Sequence, residues 1–105
     1  MLVLPNKSAV VWDKFLKENK ILVYKYIVRE IKKHIDGTSD TIELFKFEDN
    51  SMFAWIPKAK ILVTLNEALK VFIAAEEYEY ASKTTAIITE YHINKLISES
   101  IEIKE

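Results

Sequence analysis

A single glycine, Gly37, and two prolines, Pro5 and Pro57, interrupt a chain of 105 residues. With so few positions that force the backbone to turn, the chain is predicted to be rich in helix, and each break should mark an element boundary. Gly37 is the clearest stop. Ahead of it Tyr24, Ile27, Val28, Ile31 and Ile35 fall at i, i+3, i+4, i+7 and i+11, the stripe of a helix lying on a core. Lys25, Arg29, Lys32 and Lys33 take the opposite face. Lys32, Lys33 and His34 sit in the last turn, where positive charge complements the helix dipole, and Gly37 can adopt the left-handed conformation that closes the helix. Upstream, Ser8 is positioned to cap a separate helix over Ala9–Glu18 carrying Trp12, Phe15 and Leu16, with Asn19 as the joint. An extended piece over residues 21–24 is the rival, and two helical pieces are preferred.

Residues 41–57, TIELFKFEDNSMFAWIP, change character. β-Favouring residues flank the polar run Glu48, Asp49, Asn50 and Ser51, which suits a turn, so a β-hairpin is predicted. Alternation puts Phe45, Phe47, Phe53 and Trp55 on one face and Ile42, Leu44, Ala54 and Ile56 on the other. Both faces are apolar, and a lone two-stranded hairpin does not stand in water, so helices should cover at least the aromatic one. Residues 58–63, KAKILV, read as a third strand because Ile61, Leu62 and Val63 are bulky; a lead into the next helix is the alternative.

From Thr64 onward the pattern becomes helical again. Thr64 followed by Glu67 fits a capping box, in which each side chain accepts from an orphan N–H at a helix start. An amphipathic helix, an acidic-aromatic break and a second apolar segment follow, which together read as a helical hairpin over residues 64–97. Thr84, Thr85, Ile87, Ile88 and Thr89 are β-favouring residues inside the second helix, so a strand there is the rival assignment. The tail SESIEIKE is expected to fray, with Ile101 and Ile103 able to alternate as an edge strand.

The run Ala75, Glu76, Glu77, Tyr78, Glu79, Tyr80, Ala81, Ser82, after Leu65, Ala68 and Leu69, resembles the UVR motif, the helical hairpin shared by the UvrB and UvrC excision-repair proteins and by some chaperone-linked proteins. Glu77, Tyr78, Glu79, Ala81 and Ile88 occupy matching positions over about a third of the chain. Ser82 replaces the second alanine, and Thr84, Thr85 and Ala86 stand where the family has an aliphatic residue, Arg and Asp. The resemblance implies contact with another protein through the hairpin rather than catalysis. Independently of it, a small residue such as Ala81 lets two helices approach closely, and Tyr78 can pack over the junction.

The chemistry-bearing residues are sparse. There is no cysteine, which excludes disulfides and thiolate metal sites, and His34 and His92 alone do not make a zinc cage. His92 with Glu90, Tyr91 and Asn94 is read as a surface group, because Tyr91 and His92 diverge on a helix. Asp36, Asp40 and Glu43 lack calcium-loop spacing, and one glycine leaves no phosphate-cradling loop. No cofactor and no metal are expected, and an enzyme is the least favoured class. No stretch approaches the roughly 18 apolar residues of a membrane span and no leader is legible, so a cytoplasmic location without membrane association is the expectation.

Half of the residues are apolar and 30% are charged, with a formal net charge of −1. That composition suits one folded domain of this length, with roughly two-thirds of its unfolded surface buried. The charge is unevenly spread: eight Lys and Arg against three acids in residues 1–35, four Lys against eight Glu in residues 64–105. The chain is therefore predicted to be a single α+β domain, mostly helical, with a β-hairpin or small antiparallel sheet over about residues 41–63 between N-terminal helices and a C-terminal helical pair. Its expected role is a non-catalytic protein interaction, with another protein or with itself, through Glu77, Tyr78, Glu79 and Tyr80. The rival is nucleic-acid binding, in which Lys25, Arg29, Lys32 and Lys33 track phosphates while Phe45, Phe47, Phe53 or Trp55 stack on bases.

Overall fold

The computed structural model of the chain describes residues 2–6, 8–35 and 40–103, the last six as backbone only. The described elements run β1 (Leu2–Leu4), α1 (Ala9–Glu18), α2 (Lys20–His34), β2 (Thr41–Phe47), β3 (Met52–Pro57), α3 (Ile61–Ala74) and α4 (Tyr78–Ile103), an α+β fold. They divide into two compact units, residues 1–61 and 62–105.

In the first unit the two helical pieces meet at Asn19, as their sequence signals indicate. The Ser8 hydroxyl accepts from the Val10 N–H at 3.3 Å. The Asn19 side-chain amide and backbone N–H both donate to the Phe15 carbonyl, at 2.8 and 3.0 Å, while the Asn19 carbonyl accepts from Val23 at 3.0 Å. One residue thus closes α1 and opens α2. The Trp12 indole donates to the Pro5 carbonyl at 3.2 Å and ties α1 to the end of β1. On α2, Val28 and Ile31 are buried and Tyr24, Ile27 and Ile35 half-buried, following the predicted stripe. Gly37, the expected helix stop, lies outside the described residues.

The sheet has the order β1-β2-β3, with β1 parallel and β3 antiparallel to the central β2. The hairpin is as expected. Asn50 N–H donates to the Phe47 carbonyl and Phe47 N–H to the Ser51 carbonyl, both at 2.9 Å, with Asn50 at φ 70°. That is the three-residue loop whose last position is left-handed, a conformation asparagine tolerates better than most residues. The third strand differs from expectation. It is Leu2–Leu4, not residues 58–63, and a parallel pairing needs the long crossover that α1 and α2 supply. A register shift between Glu43 and Phe45 breaks strict alternation, and adjacent Leu44 and Phe45 are both buried. The shift sets Phe45 opposite Ala54, on the face of buried Ile42 and Ile56, where its ring centroid lies 5.1 Å from that of Tyr26 on α2. The covered face is therefore this aliphatic one, correcting the expectation for the aromatic face, where Phe47 and Phe53 are only half-buried. Trp55, assigned to that face, stays 52% exposed.

The Tyr26 hydroxyl joins the strands to α2. It donates to the Leu44 carbonyl at 2.6 Å and accepts from the Leu2 N–H at 3.1 Å, linking β1, α2 and β2 through one atom. Burial, followed by the negative charge of nearby Glu30, pushes its pKa up to about 12.

Residues 58–63 are helical. Pro57, at φ −65°, opens a 3-10 turn over Lys58–Lys60 that runs directly into α3. Thr64 therefore lies inside the first turn of α3 and is not its cap, correcting the capping-box reading. The reason is the apolar spacing: Ile61, Leu65, Ala68 and Phe72 form one buried stripe that begins a turn ahead of Thr64.

In the second unit α4 continues through residues 84–91 as helix. The hydroxyls of Thr84, Thr85 and Thr89 donate to the carbonyls four residues earlier, at 2.7, 3.0 and 3.1 Å. These back-bonds satisfy the polar atom of fully buried Thr84 within its own helix. Helix also runs on to Ile103, which replaces the edge-strand alternative for the tail. No described helix is long and apolar enough to cross a membrane.

Candidate interaction surface at the C-terminal helical bend

The bend between α3 and α4 is only three residues long, and backbone hydrogen bonds account for its shape. Glu76 N–H donates to the Ile73 carbonyl at 3.1 Å and Glu77 N–H to the Phe72 carbonyl at 2.8 Å, with Glu76 at φ 60°. This is the Schellman closure of a helix, carried by a glutamate where glycine is usual. The Glu77 carbonyl then accepts from Ala81 at 3.0 Å, so the residue that completes the closure of α3 also opens α4. Glu79, in the first turn of α4, suits the positive end of the helix dipole.

The four residues singled out from the sequence are brought to this bend in two kinds of setting. Tyr78 is 63% exposed, and Glu79 projects into solvent while pairing with Lys83 at 3.4 Å. Glu77 and Tyr80 are half-buried. The Tyr80 ring rests on Phe72 with centroids 5.6 Å apart, and the Lys83 ammonium lies 4.8 Å from its centre. Phe72 has no exposed surface, so Tyr80 and Phe72 fix the geometry of the bend while Tyr78 and Glu79 face outward. Ala81 is buried beside them, consistent with a small residue at the junction.

The basic residues of α2 share one helix face, at i, i+4, i+7 and i+8. Arg29, Lys32 and Lys33 are exposed and Lys25 is half-buried. Lys33 lies 3.9 Å from Glu30, an almost fully buried carboxylate that also has His34 at 3.7 Å. Of the aromatic residues suited to stacking on bases, Phe45 is buried, Phe47 and Phe53 stack on each other at 5.4 Å, and Trp55 is exposed. Tyr91 and His92 are 6.0 Å apart, edge to face, with His92 exposed. Among the described residues no group of three or more His, Cys, Asp or Glu is placed to hold a metal ion.

One feature was not visible in the sequence. Where α1 meets α2, Leu16, Lys17, Lys20 and Tyr24 line an open groove of about 400 Å³. Lys17 and Lys20 are three apart on either side of Asn19, and only the joint sets their relative direction; helical spacing within either piece gives no sign of it.

Compared with known proteins, the chain matches no family model, no curated protein and no solved structure.

Proposed function

We propose that the chain is a non-catalytic protein-interaction module that presents the bend at residues 77–80 to its partner. The observation that carries the reading is Tyr78, a tyrosine 63% exposed at the start of α4 on a bend closed by backbone hydrogen bonds. Tyrosine offers a large amphipathic contact area at low entropic cost, and a rigid mount lowers the cost of ordering it on binding. Glu79 beside it adds charge that selects a basic or hydrogen-bond-donating partner. The resemblance to the UVR hairpin supports the same surface.

The test is affinity capture from lysate of the source cells, with and without nuclease, using wild type, the Glu77→Ala/Glu79→Ala variant and Tyr78→Ala. A specific protein retained after nuclease and lost with both variants is expected. Capture that ignores both variants removes the bend from the proposal. Capture abolished by nuclease and weakened by Arg29→Ala transfers function to the basic face of α2, with exposed Trp55 as the stacking group.

A further inference from the structure

We infer that the groove between α1 and α2 receives the acidic-aromatic bend of a second copy of this chain. The inference rests on the proposed function in that the same bend is the donor, and it adds the receptor. The groove has an apolar wall from Leu16 and Tyr24 and two lysines, Lys17 and Lys20, within about 400 Å³. An occupant must supply an apolar or aromatic side chain with negative charge beside it. The chain carries that combination at its own bend, where exposed Tyr78 is flanked by Glu77 and Glu79.

Charge at longer range acts in the same sense. Residues 1–35 carry eight Lys and Arg against three acids and residues 64–105 four Lys against eight Glu, so basic and acidic surfaces of different copies attract before contact. Lys17 already pairs with Asp13 at 2.9 Å, but both side chains are more than half exposed. Solvent screens so exposed a pair, and exchanging it for an incoming carboxylate costs little.

A groove on one copy and a bend on another make a contact that two copies can satisfy reciprocally in a closed dimer, or that extends into larger rings or chains. One aromatic anchor in a shallow groove is a small interface, so association in the micromolar to millimolar range is expected.

Sedimentation equilibrium over that range tests the inference. The wild-type weight-average mass should climb to twice the 12.3 kDa monomer or beyond at low salt and return toward the monomer in about 1 M salt, where the Debye length is about 3 Å. Lys17→Ala/Lys20→Ala removes the receptor and Tyr78→Ala/Glu79→Ala the donor, so each variant alone should be monomeric. An equimolar mixture of the two retains one intact groove and one intact bend and should form a capped heterodimer that grows no further. Lys20→Glu, a single exposed change, serves as receptor variant if the double substitution fails to fold by circular dichroism. A wild type that stays monomeric throughout overturns the inference while leaving lysate capture through the bend unaffected. Variants that associate alone as the wild type does overturn it as well.

Discussion

Replacing Tyr26 with phenylalanine keeps the ring that stacks on Phe45 and deletes only the hydroxyl that joins β1, α2 and β2. The hydrogen bonds of that hydroxyl are lost, among them one of 2.6 Å to the Leu44 carbonyl, one of 3.1 Å from the Leu2 N–H and one with the Glu30 carboxylate. Their consequences are unequal. Leu2 is 48% exposed, so water replaces its partner at small cost. Leu44 is 4% exposed, and its carbonyl loses a partner where water does not readily enter. A hydrogen bond contributes about 0.5–1.5 kcal/mol net and an orphaned buried group costs about 1–3 kcal/mol, so Tyr26→Phe should destabilise the first unit by about 1.5–3 kcal/mol. Both tryptophans, Trp12 and Trp55, lie in that unit, so the shift in urea midpoint followed by tryptophan fluorescence isolates the effect. The pH dependence supplies an independent check. With its pKa raised to about 12 by burial and by Glu30, the Tyr26 phenol contributes stability that is complete below its unfolded pKa near 10. That contribution disappears as pH rises toward 12, so the gap between wild type and Tyr26→Phe should narrow over that interval. A loss below about 0.5 kcal/mol at neutral pH with an unchanged urea slope would refute the bridging role.

Three further outcomes follow from the same geometry. Glu76→Gly should stabilise the second unit by about 0.5–1 kcal/mol in thermal melts by circular dichroism, because a non-glycine residue at φ 60° carries about 1–2 kcal/mol of strain, partly offset by glycine's greater unfolded freedom. Phe72→Ala should cost about 3–5 kcal/mol by chemical denaturation and release the Tyr80 ring, seen as loss of the ring-current shifts at that side chain. Hydrogen bonds from the Ser51 hydroxyl and N–H hold the Asp49 carboxyl below its ordinary pKa, so the turn should keep its order above the unfolded value and lose it as pH falls through the folded one; an amide titration in which Ser51 follows Asp49 checks this.

How much could be read in advance depended on whether the deciding interaction was local. Ser8, Asn19 and the run Glu48, Asp49, Asn50 and Ser51 act on their immediate neighbours, and each appears in the structure as its residue chemistry indicates. The acidic-aromatic joint over residues 75–80 was legible for the same reason, since Schellman bonds close within six residues. Residues 58–64 show a conflict between two local signals. Bulky Ile61, Leu62 and Val63 favour strand, but Ile61 is also the first member of the stripe with Leu65, Ala68 and Phe72, and burial of that stripe decides the outcome. β1 was illegible because its three residues become a strand only by pairing with Phe45, Lys46 and Phe47, more than forty positions away. The groove between α1 and α2 was hidden likewise, because the direction of one helix relative to the other is not encoded in either.

The apolar periodicity of α1 and of the end of α4 is only partly used by the core. Periodicity establishes that a helix has an apolar face; it does not establish that the fold buries it. Trp12 and Leu16 are half-buried, yet no residue of α1 is buried, and Val10, Val11 and Phe15 are between 47% and 77% exposed. On α4, Ile93, Leu96 and Ile97 repeat at i, i+3 and i+4 and are again about half exposed or more. Isolated exposed apolar residues are ordinary on protein surfaces; Ile93, Leu96 and Ile97 differ in sharing one helix face. Caps at Ser8 and Asn19, half-buried Trp12 and Leu16 and exposed i,i+4 ion pairs hold α1, and covering its apolar residues would stabilise it further. An occupant of the adjoining groove should therefore slow amide exchange in α1, which hydrogen-exchange measurements on the self-associated protein would show.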